Sequence, residues 1–163
     1  MPNHPDDDKT TQLDLKVYVP ALVTFLANKL SSGASNCYRK HFNIGVVEWR
    51  ILALLRVERS ITANRICQVI GLDKAAVSRA LKSLHKRELV LFAKDEQDGR
   101  STIISLTAHG EERHDQVLTV ALKREDLLLG DLTPDEKSSL IHLLQKLNAR
   151  VEVVNAYVPE DSN

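Results

Sequence analysis

The chain has 163 residues, with 22 Lys and Arg against 22 Asp and Glu and a formal net charge of zero. That length admits one compact subunit with a real core; 43% apolar residues suit a soluble globular protein, and 4% aromatics are low for a β-sandwich and ordinary for a helical one. Two cysteines exclude a disulfide framework, no apolar run approaches the roughly 18 residues of a membrane span, and the acidic opening "MPNHPDDDKTTQ" lacks the apolar region of a signal peptide, so the compartment expected is the cytoplasm, with reduced thiols.

Residues 1–12 are polar and read as a tail. From Leu13 to about Phe42 apolar residues recur at helical spacing (Val19, Leu22, Val23, Leu26, Leu30), weakened only around Gly33, so a long helix is expected. "VVEWRILALLRVE" over 46–58 is a second helix with Val47, Ile51, Leu54 and Leu55 on its apolar stripe. Thr62 is the N-cap of a short helix ending near Ile70, Gly71 supplies a turn, and Asp73 caps the next helix. Two such helices joined by a three- to four-residue turn containing Gly form a helix-turn-helix. The period then changes from 3.6 to 2. "LVLFAK" and "STIISL" are two short strands flanking the turn "DEQDGR", a hairpin placed as a wing. Thr107 caps a helix through about Leu129. Thr133 with Glu136 makes a capping box, with Pro134 tolerated at the first helical position, and opens a final helix. Along it Leu140, Leu144, Leu147, Val151 and Val154 repeat by four and three, a stripe suited to pairing with another helix.

The neutral total conceals a basic stripe. Between Lys74 and Arg87 there are five Lys and Arg and no acidic residue. Val77, Leu81 and Leu84 face inward on this helix, leaving Lys74, Ala75, Ser78, Arg79, Lys82 and Lys86 for the opposite side. A charge run on a helix is usually a solvated face; an acid-free run that follows a Gly turn and opens at an Asp cap fits a polyanion instead. The first residues of such a helix reach base edges in the major groove. Ala75 and Ala76 suit thymine methyls, Ser78 a base or a phosphate, and Arg79 and Lys82 a guanine edge or a phosphate; Lys86 and Arg87, farther along, suit phosphates. In the wing Arg100 is a candidate for the minor groove, oriented by an ion pair with Asp98, with Lys94 in support.

The stretches "EWRILALL", "GLDKAAVSRALKSL", "DGRSTIISLTAHG" and "LTPDEKSSLIHLLQKL" resemble the MarR family of bacterial transcriptional regulators, over roughly residues 13–155. The resemblance implies a mainly α fold with a small β-hairpin wing: a winged helix-turn-helix homodimer that binds a pseudo-palindromic double-stranded DNA operator, usually represses, and is released by a small aromatic or anionic effector. The organisation expected is a tail (1–12), an N-terminal dimerisation helix (13–45), the winged module (46–106), C-terminal dimerisation helices (107–157) and a second tail (158–163). Two positions depart from the family pattern. Glu88 stands where Gly usually follows the recognition helix, which requires either a different helix end or a strained residue, and Arg65 stands where an acidic residue is common, as a phosphate contact or a pocket residue.

An effector pocket is expected where the dimerisation helices meet the winged module. Tyr38, His41, Trp49 and Arg50 cluster in sequence there, a cation beside aromatic walls that suits an aromatic carboxylate. The blander reading makes Trp49 core and gives Arg50 an acidic partner. Cys67 reads as a buried core cysteine and Cys37 as a weak redox candidate. Cys37, His41, His109 and His114 do not form a metal site, since His109 and His114 are five apart rather than four; no metal and no cofactor is expected. There is no phosphate loop, dinucleotide fingerprint or H-E-x-x-H, so an enzyme is not expected. Two rival readings stand beside the regulator: a redox- or metal-triggered DNA-binding sensor, and a winged-helix protein-interaction module that does not bind DNA.

Overall fold

The computed structural model describes residues 12–95 and 99–159. The first eleven residues of the expected N-terminal tail, the turn residues Glu96, Gln97 and Asp98, and residues 160–163 lie outside that description. The chain divides into two units, one up to Val117 and one from Leu118 onward.

The first unit opens with α1 (Val19–Phe42). This helix starts six residues later than its apolar spacing suggests, because Pro20 falls in its first turn. A helix running through from Leu13 would lose a hydrogen bond at Pro20 and set its ring against the preceding turn. The helix passes through Gly33 without a break and ends at Asn43, which takes the left-handed conformation (φ 56°) open to Asn. Next come α2 (Val46–Glu58), β1 (Ile61–Thr62), α3 (Ala63–Ile70), α4 (Lys74–Lys86), β2 (Val90–Lys94) and β3 (Thr102–Leu106). The Thr62 side chain accepts the Arg65 amide, Gly71 closes α3 at φ 71°, and the Asp73 carboxylate accepts the Ala76 amide at 2.8 Å, all as the helix signals require. β2 and β3 pair antiparallel with Val90 opposite Leu106, and β1, too short for any periodicity to reveal, joins the far side of β3 with Ile61 opposite Ile104. The core lies where α2, α3, α4 and the sheet meet: Ile51, Leu52, Ile66, Val77, Leu84 and Ile104 are each 1% exposed or less.

The end of α4 answers the question posed by Glu88. The Glu88 amide donates to the His85 carbonyl and the Leu89 amide to the Leu84 carbonyl, with Glu88 itself at φ 57°. This is the 5→2 and 6→1 pattern of a Schellman ending, with the apolar residues at its two ends, Leu84 and Leu89, both buried. The helix therefore ends as it would with Gly, and a Glu bears the left-handed backbone. Glu88→Gly is expected to raise stability by about 1 kcal/mol, read as a higher urea midpoint at unchanged slope; a lower midpoint would mean that the Glu side chain offsets its own strain.

Helix α5 (Ala108–Leu128) runs through the boundary between the units. The second unit continues with α6 (Pro134–Asn148) and α7 (Val151–Asn155). The capping box forms as expected: the Thr133 amide donates to Glu136 Oε2 at 2.8 Å and the Glu136 amide to Thr133 Oγ1. The single helix expected through Val154 is instead two. Asn148 is a weak helix former, the Arg150 amide turns to the Leu147 carbonyl in a tighter three-residue bond, and α7 restarts at Val151. No residue of α6 or α7 is buried, and Leu144 and Leu147 are 47% and 49% exposed.

Candidate nucleic-acid interface

The reading helix is built by contrast between its two sides. Val77, Ala80, Leu81 and Leu84 of α4 are buried. Lys74, Ala75, Ser78, Arg79, Lys82 and Lys86 are exposed and Ala76 is half-buried. Arg100 and Lys94 are exposed in the wing, Lys94 paired across the hairpin with Thr102. Every described candidate for DNA contact is therefore at the surface or partly so, carried on two neighbouring elements. Asp98, the expected partner of Arg100, lies outside the described residues.

Two clefts flank α4 on opposite sides. One, of about 520 Å³, lies between α3, α4 and the hairpin, with Val77, Leu81, Phe92 and Ile104 as apolar walls and Lys74, Ser78 and Lys82 also lining it. Cys67 is part of this cleft and half-buried, not the enclosed core residue expected; α3 is short and turns that edge toward the hairpin rather than into the core. The other cleft, of about 320 Å³, is lined by Arg39 from α1, Gly45 and Glu48 at the start of α2, and Arg79 and Ser83 of α4. Arg39 and Glu48 were not legible as site residues; the one signal was the spacing of Glu48, three after Gly45, which marks the first turn of a helix.

Two cations of the module pair with acids of α2. Arg65 makes a two-pronged pair with Glu58, Nε to Oε2 at 2.9 Å and Nη2 to Oε1 at 2.8 Å. Hydrogen bonding from that guanidinium holds the Glu58 carboxyl below its usual range and raises Arg65 in turn. Arg65 thus clasps α3 to the end of α2. Arg87 lies 3.5 Å from Glu48 Oε1, and its side chain is 26% exposed.

The four expected effector residues lie on α1 and α2. Tyr38 and Trp49 meet edge to face with ring centroids 6.0 Å apart, and Trp49 stacks on His114 of α5 at 5.3 Å. His114 is buried and its Nδ1 lies 2.8 Å from Asp115 Oδ1. Close in sequence, Arg113 donates from Nη1 to the Phe42 carbonyl at 3.0 Å, and its Nε is buried with no hydrogen-bond partner among the described residues. Arg50 is half-buried and donates to Ser31 Oγ at 2.7 Å, and His41 is exposed beside Phe42. Among the described residues no three His, Cys, Asp or Glu side chains gather as metal ligands, and no helix is long and apolar enough to cross a membrane.

A capped helix-turn-helix followed by a small antiparallel sheet, with long helices before and after it, defines the winged helix-turn-helix class. The model of the MarR family matches residues 42–101. A MarR/EmrR family transcriptional regulator from Acinetobacter sp. ADP1 is 34% identical, with a TM-score of 0.80 over 86% of this chain and 99% of that one. The uncharacterized HTH-type transcriptional regulator YwoH of Bacillus subtilis is 25% identical over 72% of this chain and 85% of that protein. A mutant MarR from E. coli, solved in complex with operator DNA, shares the fold, with a TM-score of 0.71 at 23% identity over 84% of this chain and 99% of that one. The chain belongs to the MarR family and is a transcriptional regulator.

Proposed function

We propose that the protein is a homodimeric repressor that binds a pseudo-palindromic operator and is released from it by a small aromatic or anionic effector. The observation that carries the DNA reading is α4: an acid-free helix whose buried side is aliphatic and whose other side exposes Lys74, Ala75, Ser78, Arg79, Lys82 and Lys86. A solvated helix face of this length ordinarily mixes both signs. Here Ala75, Ala76, Ser78, Arg79 and Lys82 read or brace the major groove, Lys86 anchors on phosphate, and Arg100, held by Asp98, enters the minor groove of the flank. The fold shared with the E. coli protein solved on operator DNA supports the same placement.

Two copies are needed because one module reads one half-site, and two half-sites lie about one helical turn, roughly 34–36 Å, apart. The apolar residues available to hold the copies together are at the two ends of the chain: Leu22, Val23 and Leu26 of α1, and Leu140, Leu144 and Leu147 of α6 are all exposed. Residues 13–45 and 107–157 then serve as dimerisation segments around a winged module at 46–106. The effector sits at the junction of these parts, against Tyr38 and Trp49, with Arg50 or His41 meeting a carboxylate; stacked His114 and the unpartnered Nε of Arg113 support a polar ligand there.

The test is a gel shift with salt titration, repeated with a panel of benzoates and cinnamates and with Leu144→Glu/Leu147→Glu. Wild type should bind duplex DNA with a steep salt dependence and be released by an aromatic acid. The charged double variant should sediment as an unstable monomer and lose the operator. Binding that ignores salt favours a protein-interaction module. Release by an oxidant or zinc and by no aromatic acid favours a redox or metal sensor. A folded, dimeric, DNA-binding double variant removes the chain ends from the interface.

A further inference from the structure

Glu48 is the third residue of α2, and its side chain is only 13% exposed. Three donors converge on its two oxygens. The Gly45 amide donates to Oε2 at 2.6 Å, the Ser83 hydroxyl donates to Oε1 at 2.6 Å, and Arg87 Nη1 lies 3.5 Å from the same Oε1. Gly45 belongs to the start of α2, whereas Ser83 and Arg87 stand four residues apart at the end of α4. One carboxylate therefore ties the first turn of α2 to the last turn of α4.

The buried residues of α4 are aliphatic. Val77, Ala80, Leu81 and Leu84 hold α4 against the core by burial, which is strong and non-directional. Such a contact resists separation far better than it resists a small roll about the helix axis. A hydrogen bond is directional and weakens steeply off line, so the Glu48–Ser83 bond opposes that roll. Arg79 precedes Ser83 by one turn and lines the same cleft as Ser83 and Glu48. We propose that Glu48 is a positioning residue for base readout: it fixes the rotation of α4 so that Ala75, Ser78 and Arg79 meet the bases together. It also occupies Arg87 and so withholds that cation from the phosphates. The inference rests on the DNA-binding reading given above.

These two duties predict opposite changes on two kinds of DNA, which loss of stability alone would not produce. The experiment measures Kd for the duplex that the wild-type protein selects from a random pool and for a scrambled duplex of equal length and composition. Melting curves for each variant confirm folding. Glu48→Ala should lower the ratio of the two affinities by about tenfold or more, on the scale of one lost base contact. It should also strengthen scrambled-duplex binding and steepen its salt slope by about one, as Arg87 is released. Ser83→Ala should lower the ratio without steepening the slope. Glu48→Gln keeps an acceptor for Gly45 and a group that bonds Ser83, so it should restore most of the ratio while leaving Arg87 released. The double variant Glu48→Ala/Ser83→Ala should be no worse than Glu48→Ala alone. A lower melting point with a ratio unchanged within about twofold, or single effects that multiply, overturns the proposal. Should Glu48→Ala fail to fold, an unchanged ratio in Ser83→Ala overturns it equally. A wild-type protein that selects no duplex overturns the DNA reading itself, and this assignment falls with it.

Discussion

Replacing Gly110 by Ala should destabilise the protein by about 3 kcal/mol or more, the upper end for added volume at a packed position. A Cβ there would fall onto the Leu89 carbonyl oxygen, with the Leu89 carbonyl carbon at 3.0 Å and Leu106 Cδ2 at 3.3 Å. The obstacle is backbone and has little freedom to move. The Leu89 carbonyl accepts the Thr107 amide at 3.2 Å, the Glu88 carbonyl accepts the Thr107 hydroxyl at 2.6 Å, and that hydroxyl in turn accepts the Gly110 amide at 2.9 Å. The ending of α4 is thereby fastened to the first turn of α5, with Glu88 held in its left-handed conformation between them. Making room for a methyl means opening that clasp. Urea unfolding should show a lower midpoint for Gly110→Ala, and Thr107→Ala should give a smaller loss in the same direction, since it removes the hydroxyl and keeps the fit. A midpoint within experimental error of wild type for Gly110→Ala would mean that α5 can withdraw from Leu89 at little cost.

Gly110 also shows where sequence reasoning stops. Local rules placed the capped helices well. Thr62, Gly71, Asp73 and the Thr133–Glu136 box each act within a turn of chain, and each appears where its chemistry requires. A Gly inside a helix, by contrast, has a reason only when another element presses on it, and Leu89 is 21 positions away. The same distinction divides the candidate site. The exposed side of α4 followed from periodicity, because a helix buries one side and shows the other. The Glu48–Ser83 bond spans 35 positions, and nothing in the spacing of either residue announces it. Arg87 reads as a phosphate contact and Arg65 as a phosphate contact or a pocket residue; neither pairing is legible, because the acids that meet them, Glu58 and Glu48, come from α2 rather than from their own helices. His114 entered the aromatic stack for a similar reason: α5 brings it to Trp49 from 65 positions along the chain. Pro20 is the instructive local miss. Apolar spacing carried α1 back to Leu13, and one residue without an amide hydrogen set its start at Val19.

The sharpest expected contrast on DNA is between Arg79 and Lys86. Both are exposed on α4, but Arg79 lies in the first half of the helix and Lys86 is its last residue. A helix entering the major groove presents its N-terminal residues to base edges and carries its far end out past the backbone. Arg79→Ala should therefore weaken the selected duplex by about 1–3 kcal/mol and random DNA much less. Lys86→Ala should weaken both by similar amounts and reduce the salt slope by about one, the signature of a single phosphate contact. Lys86 has a second, bland use, since a cation in the last turn complements the helix dipole by about 0.3–1 kcal/mol. Melting curves separate the two uses: lost helix stabilisation lowers the melting point without DNA present, and a lost phosphate contact does not. Equal losses on both duplexes from Arg79→Ala would make Arg79 a phosphate contact as well. Base selection would then fall to Ala75, Ala76, Ser78 and Lys82, and substitutions at those four positions should shift which sequence is preferred.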